Sequence, residues 1–176
     1  MVISDKQINF IPAMMDTDKK IKPLGNRFDF SEMPSWYVLC TNSLCPYQVN
    51  CLRFQAARNA PENVETAMCV LPKVLNEKEN KCRWMDKIQV VVMAAGFEHL
   101  YDYVMKKDYT PMRKGITDYL HGPKAYYEYK RGDRPLTPEQ QEWINNFVRS
   151  FGYDWEVIFD RYYESYAYHR VDPLEI

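Results

Sequence analysis

Five cysteines, all in the first half of the chain, are the residues whose type and spacing could do chemistry. Cys40, Cys45 and Cys51 fall within twelve residues, Cys69 and Cys82 follow, and the remaining sequence contains no cysteine. Thiolates bind zinc tetrahedrally or hold an iron–sulfur cluster, and either use brings together four ligands from separated segments. The sequence therefore predicts a metal site formed by four of these five cysteines, with zinc as the expected metal and an iron–sulfur cluster as the alternative.

Two other interpretations of the cysteines stay open. The gaps of four, five, seventeen and twelve residues differ from the paired C-x2-C of common zinc ribbons. Cysteine is also among the most buried residue types, so the five could be plain core residues of a protein without a cofactor. Thiol redox chemistry is the third interpretation, and the lack of a C-x-x-C motif weakens it.

The elements around the first cysteines should bring them close together. Residues 36–40 form a short β-like run that ends at Cys40. Cys45 is followed by a proline, which suits the first position of a helix, and the apolar spacing carries that helix past Cys51. Residues 82–92 are the best strand candidate and would place Cys82 at a strand start.

The last third of the chain shows clearer helical signals. A proline after Thr110 predicts a helix start there, and Gly122 predicts its end. A second helix begins at Thr137, where Gln140 completes a capping box. A third is predicted from Asp154, because aromatic side chains recur at helical spacing after it. Residues 94–106 are also predicted to be helical, and residues 125–134 to be an extended segment with a turn.

These elements together predict a helix-rich α+β protein. Prolines and glycine break residues 1–34 repeatedly, so this stretch is expected to be an irregular arm. Residues 35–176 are expected to form one compact domain, in which a cysteine-bearing part (35–92) with short strands packs on a helical part (93–176).

Charge is balanced over the whole chain but not along it. The formal net charge is −1, which gives no global bias toward nucleic acid or membranes. Residues 106–134, however, hold eight Lys or Arg against four Asp or Glu, and residues 135–176 hold three against eight. A basic middle segment therefore precedes an acidic end. No run of about 18 apolar residues is present to span a membrane.

The basic segment is a candidate partner-binding surface because basic side chains alternate with tyrosines in it. Such a mixture suits phosphate contact combined with base stacking, which makes nucleic acid a candidate partner. The helix predicted after Gly152 carries acidic side chains, and its negative charge would repel the phosphates of a nucleic acid. The expected partner-binding residues are Lys124, Tyr126, Tyr127, Tyr129, Lys130, Arg131 and Arg134.

Three segments carry a resemblance to a known family. The sequences CPYQVNCLR, YYEYKRGDRPLTPEQQEWI and GYDWEVIFD resemble those of a family of uncharacterised bacterial proteins with several spaced N-terminal cysteines. The resemblance covers most of the chain from about Trp36 onward. It implies a bacterial cytosolic protein and carries no activity or mechanism with it.

Signals for an enzyme are weak, and no catalytic residue is predicted. The histidines His99, His121 and His169 lie apart in sequence, and the chain has no phosphate-binding glycine loop or nucleophile motif. The N-terminus lacks a secretory pattern and the cysteine number is odd, which favours the cytoplasm. The sequence thus predicts a non-enzymatic protein with a structural metal and a partner-binding surface. A metal-free helical interaction module, able to form a homodimer, is the first alternative, and an iron–sulfur or thiol redox enzyme is the second.

Overall fold

The computed structural model describes the backbone of residues 21–22 and all of residues 28–71 and 82–171. This part contains helices together with short strands in two small sheets, so the predicted helix-rich α+β class is confirmed. Most of the predicted N-terminal arm lies outside the described residues. Its last turn is a 3-10 helix at Phe30–Glu32, capped by the Asp29 carboxylate, which accepts a 2.9 Å hydrogen bond from the Ser31 amide.

The cysteine-bearing part is organised around one short helix and a two-residue sheet. Strand β2 (Leu39–Cys40) pairs in parallel with β3 (Cys69–Val70), and helix α1 covers Leu52–Arg58. The helix predicted to begin after Cys45 starts later than expected, after a 3-10 turn at Gln48–Asn50. The reason is that Cys51 has an extended backbone and bridges Lys87 on another segment, so the helix can begin only after it.

A three-stranded sheet joins the two parts of the chain. Strand β1 (Ile21–Lys22) runs parallel to β5 (Arg161–Tyr166), and β4 (Val90–Ala95) runs antiparallel to β5 over six residue pairs. The strand predicted for residues 82–92 is therefore shifted toward the C-terminus. Residues 94–106, predicted to be helical, contain the end of β4 and a 3-10 turn at Glu98–Tyr101 instead.

The helix predicted from Asp154 is wrong, since β5 lies within its range. Tyrosine is common in strands as well as in helices, because aromatic side chains pack well on a pleated surface. The decisive factor is non-local: the backbone amides and carbonyls of the valine-rich β4 need a partner, and β5 supplies one along its whole length.

Three helices form the C-terminal part: α2 (Lys106–Tyr119), α3 (Pro123–Arg131) and α4 (Pro138–Ser150). The capping box predicted for α4 is confirmed. The Thr137 hydroxyl accepts a 3.3 Å hydrogen bond from the Gln140 amide, and the Gln140 side chain accepts a 2.9 Å bond from the Thr137 amide.

Helix α2 begins one turn before its predicted start at Thr110. The Tyr153 hydroxyl caps this extra turn, because it accepts a 2.9 Å hydrogen bond from the Met105 amide and donates one of 2.9 Å to the Asp108 carboxylate. The cap comes from a residue far along the chain, so local sequence could not predict it.

Residues 125–134, predicted to be extended, are mostly helical. Helix α3 begins directly after Gly122, whose φ of +112° lets the chain reverse between α2 and α3. A proline then occupies the first helical position, and Gly132 ends the helix in the left-handed conformation.

Among the described residues, most buried apolar side chains fall into two clusters. The larger one is built from β4, the three C-terminal helices and β5, and includes Phe97, Met112, Ile116, Tyr126 and Ile144. The smaller one contains Tyr37, Leu39, Leu52 and Ala56 in the cysteine-bearing part. Within the described residues, no helix is long and apolar enough to cross a membrane.

Candidate functional site

Four of the five cysteines line one small cavity. Cys40, Cys45, Cys51 and Cys82 surround a space of about 20 Å³. Apolar and aromatic side chains form most of its remaining wall, among them Tyr47, Phe54, Val70, Trp84 and Met85. A space of this size can hold one water molecule or one ion. The sequence predicts a metal site made of four of the five cysteines; four of them line this cavity, and metal binding by them stays a prediction.

Three separate segments bring these cysteines together. Cys40 is the last residue of β2, and Cys45 follows it through a short turn. Cys51 stands immediately before α1 and pairs with Lys87 in an isolated antiparallel bridge. That bridge holds the segment beginning at Cys82 against the start of α1, which places the last cysteine beside the first three.

Cys69, the fifth cysteine, does not line this cavity. In the β2–β3 pair Leu39 lies opposite Cys69, and Cys40 lies opposite Val70. Paired residues project from the same face of a sheet, and successive residues project from opposite faces. Val70 therefore shares the face of Cys40 and lines the cavity, whereas Cys69 projects away from it and is exposed.

Burial raises the pKa of the Cys40 and Cys82 thiols, and the negative charges that neighbouring thiolates would carry raise both pKa values further. A backbone hydrogen bond from Asn42 to Cys40, and another from Trp84 to Cys82, lower them in part. Each hydrogen bond comes from the residue two positions after the cysteine. Such bonds stabilise a charged sulfur, which is the form that binds metal.

The four thiols share a cavity, but they do not already form a metal site. All five cysteines are free thiols. Within residues 28–71 and 82–171, no group of three or more His, Cys, Asp or Glu side chains stands in an arrangement that could hold a metal ion. The type of donor and the size of the space thus suit a metal, although the described side chains do not form a metal-binding group.

A buried arginine ties together the segments that carry the cysteines, and sequence reasoning missed it. Arg53 in α1 is only 1% exposed. Its guanidinium donates hydrogen bonds to the carbonyls of Val38 (2.7 Å), Trp84 (2.9 Å) and His169 (2.6 Å). Val38 and Trp84 each lie two residues from a cysteine of the cavity, Cys40 and Cys82 respectively.

The charge of Arg53 is balanced by Asp86, which is 4% exposed and lies 3.9 Å away. Asp86 accepts hydrogen bonds from the Tyr37 hydroxyl (2.7 Å) and the His169 backbone amide (3.1 Å), and its other oxygen contacts the His169 ring at 2.7 Å. Burial and the Asp86 carboxylate together hold the pKa of Tyr37 well above its usual range. In sequence, an arginine beside a helical apolar face looks like an ordinary exposed residue, and no local pattern distinguishes Arg53.

The predicted partner-binding residues divide into buried and accessible ones. Tyr126 and Tyr129 are only 2% and 6% exposed, and belong to the larger core cluster. Their side chains therefore hold α3 against the protein. The accessible or partly accessible members are Lys124, Tyr127, Lys130, Arg131 and Arg134, along α3 and the turn that follows it.

Part of the basic charge on this surface is already compensated. Arg131 donates a 2.9 Å hydrogen bond to the Asp133 carboxylate. The Arg134 guanidinium lies over the Tyr129 ring, 4.9 Å from its centroid. Lys124 takes part in no ion pair among the described residues. Within the described residues Lys130 and Arg134 also take part in no ion pair, and the contact with a ring does not neutralise Arg134, so positive charge remains available along α3 and the turn after it.

Comparison with known proteins gives a family but no activity. No curated protein and no solved structure matches the chain. The sequence profile of the family of unknown function DUF6078 matches residues 15–168, a range that includes all five cysteines, Arg53 and Asp86. The expectation of an uncharacterised family is thereby confirmed. This chain belongs to the family of unknown function DUF6078.

Proposed function

We propose that this protein binds one structural metal ion, with zinc as the expected metal, through Cys40, Cys45, Cys51 and Cys82. One observation carries the proposal: four thiols from three separate segments line a single cavity of about 20 Å³. Four thiolates at about 2.3 Å from zinc make a closed structural site, without the open position that catalysis needs. Cys69 is excluded because it projects from the opposite face of β3.

The size of the cavity favours a single ion over an iron–sulfur cluster. An iron–sulfur cluster introduces several inorganic atoms, whereas the space is close to that of one water molecule. The four thiols would have to move closer together to bind an ion, since the described side chains do not form a metal-binding group. The backbone hydrogen bonds from Asn42 and Trp84 support the proposal, because they would stabilise two of the charged sulfurs.

The small core of the cysteine-bearing part gives a physical reason for such an ion. Among the described residues, its buried cluster contains only four side chains. Small cores supply little stability, and proteins commonly compensate with a metal or with disulfides. Structural zinc contributes about 10–16 kcal/mol of apparent binding free energy in small zinc-finger peptides. An ion at the cavity would link β2, α1 and the segment before β4.

Metal analysis of untagged protein purified without oxygen tests this proposal. We expect about one zinc per chain, and none after a Cys82→Ser substitution. A Cys69→Ser variant is the matched control and should keep the metal. Folded protein without metal, in which five thiols react after denaturation, would contradict the proposal and favour the metal-free interaction module. Iron with visible absorption would favour the iron–sulfur or redox alternative instead.

The accessible face of α3 is proposed as a partner-binding surface in a non-enzymatic cytoplasmic protein. Lys124, Tyr127, Lys130, Arg131 and Arg134 support this, because they present positive charge beside an accessible aromatic ring. Nucleic acid is the candidate partner. Binding of a single-stranded oligonucleotide should then weaken as salt rises, because phosphate contacts release counterions. Salt-independent binding would contradict the nucleic-acid assignment, and concentration-dependent dimerisation would favour a second copy of the chain.

A further inference from the structure

A groove between α2 and α3 combines basic and aromatic side chains. It has a volume of about 230 Å³ and lies next to the partner-binding surface, with which it shares Tyr127. Both charged residues that line it, Arg113 and Lys114, are basic. The rest of the wall consists of Thr110, Thr117, Pro123, Tyr126 and Tyr127. This composition suits an anionic ligand with a flat apolar portion.

Arg113 is held in place by tyrosines rather than by a carboxylate. Its guanidinium donates a 2.7 Å hydrogen bond to the Tyr127 hydroxyl. It also lies 5.9 Å from the ring centroid of Tyr126 and 5.8 Å from that of Tyr127. These contacts fix the orientation of the guanidinium without neutralising it, which lowers the entropic cost of binding an anion.

The positive charge of the groove is available to a ligand. No ion pair among the described residues involves Arg113 or Lys114. A guanidinium has five N–H donors, so the bond to Tyr127 leaves enough of them for a bidentate contact with a phosphate. Lys114 is exposed and provides a second cation beside it.

The groove also offers a surface for a planar ring. Tyr127 is 42% exposed. Bases stack on such tyrosines with little sequence preference. The volume is below the roughly 300 Å³ at the lower end of small-molecule sites, so a phosphate and one ring would occupy it.

We propose that this groove binds a phosphate group attached to a nucleoside, with Arg113 and Lys114 on the phosphate and Tyr127 against the base. The proposal deepens the partner-binding surface proposed above and rests on it only through Tyr127. The same chemistry could be offered by a free mononucleotide or by the terminal phosphate of a single-stranded nucleic acid. It is independent of the cysteine cavity.

Calorimetric titration of the full chain with adenosine monophosphate and with adenosine tests the groove. Adenosine monophosphate should bind at least tenfold more tightly than adenosine, and Arg113→Gln should remove that difference. Arg113→Lys keeps the charge but loses the planar fork, so binding should be intermediate. Arg149→Gln changes an exposed arginine of α4 outside the groove and should bind like the wild type. Circular dichroism checks that each variant is folded.

A second titration uses a short single-stranded oligonucleotide with and without a 5′-phosphate. If the protein prefers the phosphorylated strand and Arg113→Gln abolishes that preference, the proposed phosphate site in the groove is supported. The phosphate that it binds would then be the terminal phosphate of a nucleic acid. If adenosine monophosphate binds and neither oligonucleotide does, the proposed phosphate site in the groove is supported. The proposal that the surface on α3 binds nucleic acid is then contradicted. If Lys124→Gln weakens oligonucleotide binding and Arg113→Gln does not, the proposed phosphate site in the groove is contradicted. The proposed partner-binding surface on α3 is then still supported. Absence of any phosphate-dependent binding, or binding that Arg113→Gln leaves intact, would also contradict the proposed phosphate site in the groove.

Discussion

Arg53 and Asp86 form a buried ion pair with 3.9 Å between the guanidinium and the carboxylate. Arg53 also donates hydrogen bonds to three backbone carbonyls, so the pair connects three chain segments. We call this ion pair with its hydrogen bonds the hub. A buried charge that loses its partner is strongly destabilising, whereas a fully satisfied one is tolerated. The hub therefore positions the segments of the cysteine cavity, although neither residue lines the cavity itself.

Replacing Arg53 with methionine should lower the free energy of unfolding by about 3–5 kcal/mol, because Asp86 would remain buried without its cation. Arg53→Lys should also destabilise, since one ammonium group cannot reach all three carbonyls. Urea unfolding followed by circular dichroism measures both. Arg58→Met, at the exposed end of the same helix, is the matched control and should change stability by less than about 0.5 kcal/mol. Equal effects at the two positions would contradict the role of the hub.

If the hub positions the cysteine segments, Arg53→Lys should also weaken zinc binding by about 10–100-fold, as loss of supporting residues does in other metal sites. Competition with a chromophoric chelator measures the affinity. Unchanged affinity in a folded Arg53→Lys protein would mean that the four thiols gather without help from Arg53.

Chelation of the metal should lower the melting temperature of the wild-type protein. A ligand present at about 1,000 times its dissociation constant stabilises the folded state by about 4 kcal/mol, and removing it reverses that gain. Cys69→Ser should respond to the chelator as the wild type does. Cys45→Ser should show no response, because its site is already incomplete. Differential scanning calorimetry checks all three proteins, and a wild-type melting curve unaffected by chelator would argue against a structural metal.

Gly115→Ala should destabilise the protein by about 1–2 kcal/mol through overpacking. A Cβ at this position would clash with the ring of Phe147, closest to its Cζ atom. That ring has little freedom to move, because Trp143 stacks on it at 4.9 Å and Phe151 meets it edge-on at 5.3 Å. Alanine is the better helix former, so a stabilising effect would mean that the ring shifts easily.

A double-mutant cycle separates the clash at Gly115 from other effects. Phe147→Leu removes the far end of the ring, so Gly115→Ala should be less damaging in that background. Additive effects of the two substitutions would show that the close approach of α2 and α4 is not the cause.

Thr137→Ala should lower the free energy of unfolding by about 1 kcal/mol, because the first turn of α4 loses its side-chain cap. Thr137→Ser keeps the hydroxyl and should retain most of the stability. Thermal unfolding of the two variants distinguishes them. Equal stability of both would mean that the 3.3 Å bond to the Gln140 amide contributes little.

The parts of the fold that sequence predicts well are those determined by near neighbours. The α4 capping box needs only residues three apart, and the structure confirms it. The short connection between Cys40 and Cys45 likewise predicts that these two lie close together, and both line the cavity. Which four would share a cavity could not be predicted, because the choice between Cys69 and Cys82 depends on strand register.

The features that sequence reasoning missed depend on contacts between distant residues. The sequence predicts a helix across β5 because aromatic residues recur at helical spacing there, and only the pairing with β4 makes this segment a strand. The start of α2 depends on Tyr153, which lies 48 residues after Met105. Arg53 gave no local sign of burial, since its three acceptors lie on three other segments.

The bond from Arg53 to the carbonyl of His169 spans 116 positions, and this separation has a consequence in time. At about 5–20 residues per second, a ribosome needs roughly 6–23 s to synthesise the intervening chain. During that interval Arg53 lacks one acceptor and Asp86 lacks both contacts from His169. The cysteine segments should therefore stay open to incoming metal, and to cellular thiols, until His169 has left the ribosome.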